Sequence, residues 1–239
     1  MVPRQFCNTC APATLALIAS ALCAAGPLAP AAALDRYLAR GTHEQDQCFQ
    51  WEYVVQIDAS VPLLKKSGSM TGFKRLIQPG QAVYRGLRFT GDNLVKTQVI
   101  ARFLAHETNT PDQAENVSVT RLNYRFEFEK VADYNGQMAY VFQLTPRRKR
   151  AGLFRGELWL HAETAIPLRL WGDFVKSPSI FVRSFRFVED YQTIHACNEP
   201  LRSLLTARTR IAGSVEMTVW QHPASDDAEA ATTNAVPHP

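Results

Sequence analysis

The sequence of 239 residues predicts an α+β domain that is mainly antiparallel β. Three observations predict it: apolar and polar residues alternate strictly in one segment after another, only one long stretch carries helical periodicity, and the N-terminus is built for export rather than folding. A composition with 46% hydrophobic and 20% charged residues suits a globular core, and the length fits one domain.

Residues 1–33 read as a signal peptide. Arg4 and the amino terminus form a short positive region, Ala13 to Ala25 an apolar run, and Ala31-Ala32-Ala33 an A-x-A cleavage pattern ahead of Leu34. Gly26, Pro27 and Pro30 cut the apolar run below the roughly 20 residues of a membrane span. Cys23 follows Ser20-Ala21-Leu22, with the leucine adjacent rather than three positions before, which argues against a lipid anchor there.

A short helix over Leu34 to Ala39 opens the mature chain, and strands follow at Cys48 to Ala59, Met70 to Gln78 and Ala82 to Arg88. Asp92 is a good N-cap for the one long helix, which runs to about His106. Val95, Val99, Ile100, Phe103 and Leu104 form its apolar stripe, opposite Lys96, Gln98 and Arg102. From Leu122 to Glu129 alternation is unbroken, with Tyr124, Phe126 and Phe128 on one face; Met138, Tyr140, Phe142 and Leu144 repeat it. A three-residue loop Tyr134-Asn135-Gly136 sets Phe128 against Phe142 and Phe126 against Leu144, so two apolar rows adjoin. Phe154 to Leu160 and Ile166 to Leu170 continue the meander, pairing Leu160 with Ile166 and Leu158 with Leu168. Ile180 to Tyr191 and Arg202 to Trp220 complete a meander of eight or more strands within a domain spanning residues 34–222. Residues 223–239, rich in Ala, Asp, Thr and Pro, read as a disordered tail.

Removal of the leader takes Cys7, Cys10 and Cys23 with it, leaving Cys48 and Cys197, which in an exported domain either form a disulfide or remain two thiols. A net charge of +4 is too small to point to nucleic acid. Arg147, Arg148, Lys149 and Arg150 nonetheless form a basic run, either a solvated hairpin loop or a contact for an anionic membrane or an acidic partner. Nucleophile-elbow, phosphate-loop, dinucleotide and zinc-protease patterns are all missing, and no two of the six histidines stand at ligand spacing. No catalytic residue, metal site or cofactor is assigned. The aromatic rows are first of all core; they become a binding surface if the sheet is curved and incompletely filled.

Three segments resemble the LolA-like outer-membrane lipoprotein-sorting superfamily of Gram-negative envelopes: Tyr140-Val141-Phe142-Gln143-Leu144-Thr145-Pro146, then Gly152-Leu153-Phe154-Arg155-Gly156-Glu157-Leu158-Trp159-Leu160, then Gly172-Asp173-Phe174-Val175-Lys176-Ser177-Pro178-Ser179. The likeness is specific over residues 137–190 and architectural elsewhere. It implies an incomplete, strongly curved β-barrel under a helical lid, a periplasmic location and an apolar cavity for acyl chains. On that expectation Tyr124, Phe126, Phe128, Tyr140, Phe142 and Leu158 line the cavity, and the partners are a lipid or acylated lipoprotein and an inner- or outer-membrane protein, with the carrier a monomer. The family's lid-gating arginine has three candidates here, Arg85, Arg88 and Arg125. The alternatives are an envelope sensor or interaction module and, behind that, an unrecognised hydrolase.

Overall fold

In the computed structural model the described residues are 26–40, 51–78, 81–108, 117–177, 180–194 and 197–224. Helix α1 (Pro30–Arg40) is followed by β1 (Glu52–Val61), β2 (Lys66–Gln78) and β3 (Gln81–Gly91). Then comes α2, a π-helical segment Val95–Ile100 continued by the α-helical Ala101–Thr108. Seven strands complete the chain: β4 (Tyr124–Tyr134), β5 (Gln137–Pro146), β6 (Phe154–His161), β7 (Pro167–Phe174), β8 (Val182–Ile194), β9 (Cys197–Thr209) and β10 (Ser214–Pro223).

All ten strands lie in one antiparallel sheet, ordered β3-β2-β1-β10-β9-β8-β7-β6-β5-β4. The sheet does not close. Its two edges, β3 and β4, are consecutive in sequence, so α2 belongs to the connection that carries the chain from one edge to the other. Asp92 caps α2 as its sequence predicts, its Oδ1 accepting from the Leu94 amide at 2.8 Å.

Register places one row of each strand on a common inner face. Across the sheet run Met70, Ile57, Val219, Leu205, Phe187, Leu158, Phe142 and Phe128, among others. Two apolar clusters occupy it. Under α2, Val95, Ile100 and Leu104 pack on Val55, Ile57, Met70 and Val219. Under α1, Ala33 and Leu34 pack on Tyr140, Phe142, Leu158, Leu160 and Phe187. Leu205 packs against both. Full burial of each large apolar side chain contributes about 1.5–3 kcal/mol, so these clusters hold the helices to the sheet.

Three expectations are corrected. The β4–β5 turn is the two-residue Asn135-Gly136, both with positive φ (54° and 81°), not a three-residue loop. The expected pairs Phe128–Phe142 and Phe126–Leu144 form even so, because an irregularity between Phe128 and Lys130 absorbs one residue. On β6 and β7, Leu158 opposes Leu170, two residues from the expected register, and Leu160 opposes Pro167, one residue from it, an irregularity between Trp159 and Leu160 making up the difference. The two-residue shift at Leu158 leaves that side chain on its expected face, so alternation cannot detect it. A tight turn, with the Ala165 amide donating to the His161 carbonyl at 2.9 Å and Ala165 left-handed, fixes it instead. Finally, Arg202 to Trp220 is two strands, folded back at Gly213 (φ 71°).

Helix α1 begins at Pro30, so Ala33, fully buried, lies inside it. Ahead of the helix, the Leu28 amide donates to the Ala162 carbonyl at 2.9 Å, and the Tyr140 hydroxyl donates to the Leu28 carbonyl. A chain beginning at Leu34 therefore loses a helical turn, a buried residue and the partner of a largely buried hydroxyl. Relative to a chain beginning at Gly26, it is expected to be less stable by about 2–4 kcal/mol in denaturant unfolding. Equal midpoints would show that these contacts contribute nothing.

Candidate functional site

The inner face is apolar at both ends and polar in the middle. Strand alternation puts Lys74 in the row of Met70 and Leu76, Glu189 in the row of Phe185 and Phe187, and Gln221 beside Val219. A flat sheet at about 4.8 Å per strand would hold β2 and β8, four strands apart, roughly 19 Å from each other. Yet Lys74 and Glu189 act on one another electrostatically, as do Glu107 and Glu189, so the sheet curls and brings them to one chamber.

Glu107, at the end of α2, is held there by Lys74, whose Nζ lies 3.5 Å from Oε1, and by the Tyr84 hydroxyl, which donates to Oε2. Gln81 donates to the Thr108 carbonyl at 3.1 Å and ties the same helix end to β3. On β8 the Tyr191 hydroxyl donates to Glu189 at 2.7 Å. Gln221 donates to Glu199 at 3.3 Å. Tyr37 of α1 feels Glu189. Both helices thus end at the same polar waist, each joined to a different strand group.

Burial sets the proton affinities. Desolvation, reinforced by Glu199 and Glu107 and opposed by Tyr191 and Lys74, pushes Glu189 up to about 7. Glu199 is raised by the same burial. Burial works to lower Lys74, but Glu107 and Glu199 outweigh it and keep the amine charged. The Tyr37, Tyr84 and Tyr191 hydroxyls are pushed up, chiefly by desolvation, so they remain donors. The waist holds one firmly charged amine beside Glu189, a carboxyl pushed up to about 7.

Of the predicted cavity residues, Tyr124, Tyr140, Phe142 and Leu158 are brought together but sealed in the cluster under α1. Phe126 is partly exposed, and Phe128 on the edge strand is 47% exposed, its ring edge-on to Tyr140 and Phe142 at 6.0 and 5.8 Å. Across the gap, Phe89 of β3, paired with Met70 on the inner face, is 38% exposed. Both open edges therefore present an aromatic ring on the inner side. The arginine candidates do not reach it: Arg85, Arg88 and Arg125 all fall on the outer parity, and Arg85 is bound to Glu52. Lys74 is the inner cation instead. Cys48 and the Cys197 side chain lie outside the described residues.

The outer face carries its own polar ladder, with Arg169 and Arg202 on Asp190 at 2.7 and 2.8 Å, joined by the Tyr134 hydroxyl at 2.9 Å. Burial opposes ionisation of Asp190, but these donors hold its carboxyl below the usual range. The ladder ties β7, β8 and β9 and engages both of its own guanidinium groups. Among the described residues no His, Cys, Asp and Glu cluster has metal-binding geometry, and no helix is long and apolar enough to cross a membrane. His161 accepts from the Glu163 and Thr164 amides and caps a turn.

No family model and no curated protein matches the chain. Solved structures similar to it include a LolA superfamily protein from Nitrosomonas europaea, 13% identical, covering 84% of this chain and 96% of that one, with a TM-score of 0.36. A putative outer membrane lipoprotein-sorting protein domain from Vibrio parahaemolyticus is 11% identical over 85% of this chain and 95% of its own, with a TM-score of 0.40. MucB, in complex with MucA from Pseudomonas aeruginosa, is 13% identical over 85% and 96%, with a TM-score of 0.26. The superfamily read from residues 137–190 is thus the one among which similar solved structures are found. These overlays are loose and define no residue-by-residue equivalence.

Nothing in the alternation rule anticipates the polar waist, but a signal was present. Lys74 and Glu189 stand at positions where their rows require an apolar residue.

The proton affinity of Glu189 yields a test. Between the ordinary glutamate range and about pH 7 the folded protein holds a proton that the unfolded chain has released, so folding stability falls as pH rises through that window. Glu189→Gln removes the penalty. The variant is expected to be more stable than the parent by about 1–2 kcal/mol at pH ~8, with the difference vanishing near pH ~4. A difference independent of pH would contradict the burial argument.

Proposed function

We propose that the protein is an exported periplasmic binding protein that holds a lipid, or the acylated end of a lipoprotein, against the inner face of its open sheet and performs no chemistry on it. One observation carries the proposal. Ten strands present an inner face with an apolar lobe at each end, two helices cover it among the described residues, and the aromatic rings at both free edges are left partly in solvent.

An acyl chain is the natural complement of such a face. It is flexible enough to follow a curled sheet, and its transfer from water is favourable by about 0.8 kcal/mol per buried methylene. The polar waist suits a ligand with a polar end: Lys74 and the tyrosine hydroxyls offer donors, and the carboxyls Glu189 and Glu199 offer acceptors. Phe126 and Phe128 form the entry, and Tyr140, Phe142 and Leu158 the floor that α1 uncovers. Glu107 serves as a latch on α2, since Lys74 and Tyr84 hold that helix end. Export is read from the leader pattern in residues 1–33, and the packing of Leu28 and Ala33 favours a mature end that lies before Leu28 over one after Ala33.

A second reading, an envelope sensor or interaction module, rests on the basic run Arg147 to Arg150 and needs no ligand inside.

Native mass spectrometry of protein isolated from the periplasm is expected to show bound lipid, and a fluorescent fatty acid is expected to be taken up. Phe128→Asp should weaken uptake about tenfold while leaving the fold intact, because the residue is half exposed. A clean unliganded mass with no uptake would overturn the proposal.

A further inference from the structure

Each strand of the meander is antiparallel to its neighbour, so the connecting turns gather at two opposite ends of the sheet. Register assigns to one end the β1–β2 turn, the β9–β10 turn, the β7–β8 connection, the β5–β6 turn and the chain entering β4. Contacts tie them together. The Arg210 amide donates to the Phe181 carbonyl at 2.9 Å and its Nε to the Ile180 carbonyl at 2.8 Å. Leu63 lies against Gly213. The Arg147 amide donates to Asn123, the Arg147 Nε to the carbonyls of Arg121 and Tyr124, and the Val175 amide to Leu153.

The chemistry of this end is one-sided. Residues 62–66, 119–123, 146–153, 175–183 and 208–214 contain eleven Lys or Arg and no Asp or Glu. The turns at the other end, 134–137, 161–166 and 194–197, contain no Lys or Arg and one Glu. Of the eleven, Lys66 pairs with Asp92 and Arg121 with Asp35. A groove of about 650 Å³ opens beside the β5–β6 turn, lined by Arg147, Arg148, Lys149, Arg155, Trp171 and Asp173, the last paired with Arg186.

Large apolar tips stand among these charges. Ile180 is 79% exposed, Ile211 78%, Leu63 68% and Phe181 57%. From the β1–β2 turn to the β5–β6 turn the sheet spans six strand intervals, roughly 29 Å. Exposed apolar tips on rigid turns, set among turn segments of net positive charge, match a surface that is anionic outside and apolar just beneath.

We propose that this end of the sheet docks on an anionic phospholipid bilayer, with Ile180, Phe181, Ile211 and Leu63 entering the interface and Arg147 to Arg150 binding phosphate headgroups in and beside the groove. Attachment is peripheral and reversible. An acidic protein surface would use the charges but leave the apolar tips in water, which is why the bilayer is the better complement. The inference does not depend on a ligand inside the domain.

Vesicle sedimentation tests it with the mature protein. Binding is expected to vesicles of phosphatidylcholine mixed with phosphatidylglycerol and not to phosphatidylcholine alone. Arg147→Gln, Arg148→Gln, Lys149→Gln and Arg150→Gln together should weaken it by about tenfold or more, since each basic side chain near the surface is worth about 1 kcal/mol. Ile180→Ser, Phe181→Ser and Ile211→Ser together should abolish the fraction that survives high salt. All these side chains are exposed, and an unchanged thermal midpoint shows that the variants fold. Phe128→Asp, which impairs the interior, should bind vesicles normally, so failure of the interior reading and failure of this one are distinguishable. Equal binding to both vesicle types, no loss in the tip variant, or displacement by polyglutamate that is equally effective on parent and tip variant would each overturn bilayer docking, the last in favour of an acidic protein.

Discussion

The structure depends on an apolar sheet face that is larger than its cover. Ten strands in one sheet must bury one side or leave it wet, and the described residues supply α1 with 11 residues and α2 with six π-helical and eight α-helical ones. A closed barrel would solve the problem by turning the face inward on itself. Here the edges β3 and β4 stay apart, and each helix covers only one lobe. The curl of the sheet, the two separate clusters and the partly exposed rings of Phe89 and Phe128 all follow from that imbalance.

Between the lobes the face changes character, and this shapes what it can accept. A purely apolar channel would favour any hydrocarbon. Lys74, Glu189, Glu199 and three tyrosines place donors and acceptors midway, where the polar end of an amphiphile would sit while its chain lies along either lobe. The same groups anchor the helices, since Glu107 holds the end of α2 and Tyr37 brings α1 to Glu189. A ligand that engages the waist therefore competes with the contacts that keep the helices down, and binding and opening become one equilibrium.

Much of this was legible in the sequence. Alternation located the inner rows, and the pairing of Phe128 with Phe142 followed from requiring apolar faces to match. Two things were hidden for physical reasons. The slip between β6 and β7 is two residues at Leu158 and keeps that side chain on its face, so only the left-handed turn at Ala165 could settle it. The waist is assembled from β2, β8, β9, β10 and both helices, and its members are far apart in the chain; only their misfit in apolar rows announced them. Residues expected to line an open cavity divided accordingly, with Phe142 and Leu158 sealed and Phe128 at the edge accessible.

Polarity along the strands adds a direction to this picture. The basic, apolar-tipped end and the end whose turns carry no Lys or Arg lie a strand length apart, with the inner face between them. The most direct test of the central claim is to load the protein with a photoreactive fatty acid, irradiate, and map the modified peptides. The account predicts modification of the β3 peptide around Phe89, the β4 peptide around Phe126 and Phe128, and α2. Modification confined to outer-face peptides such as those containing Trp171 or Trp220, or none at all, would contradict it.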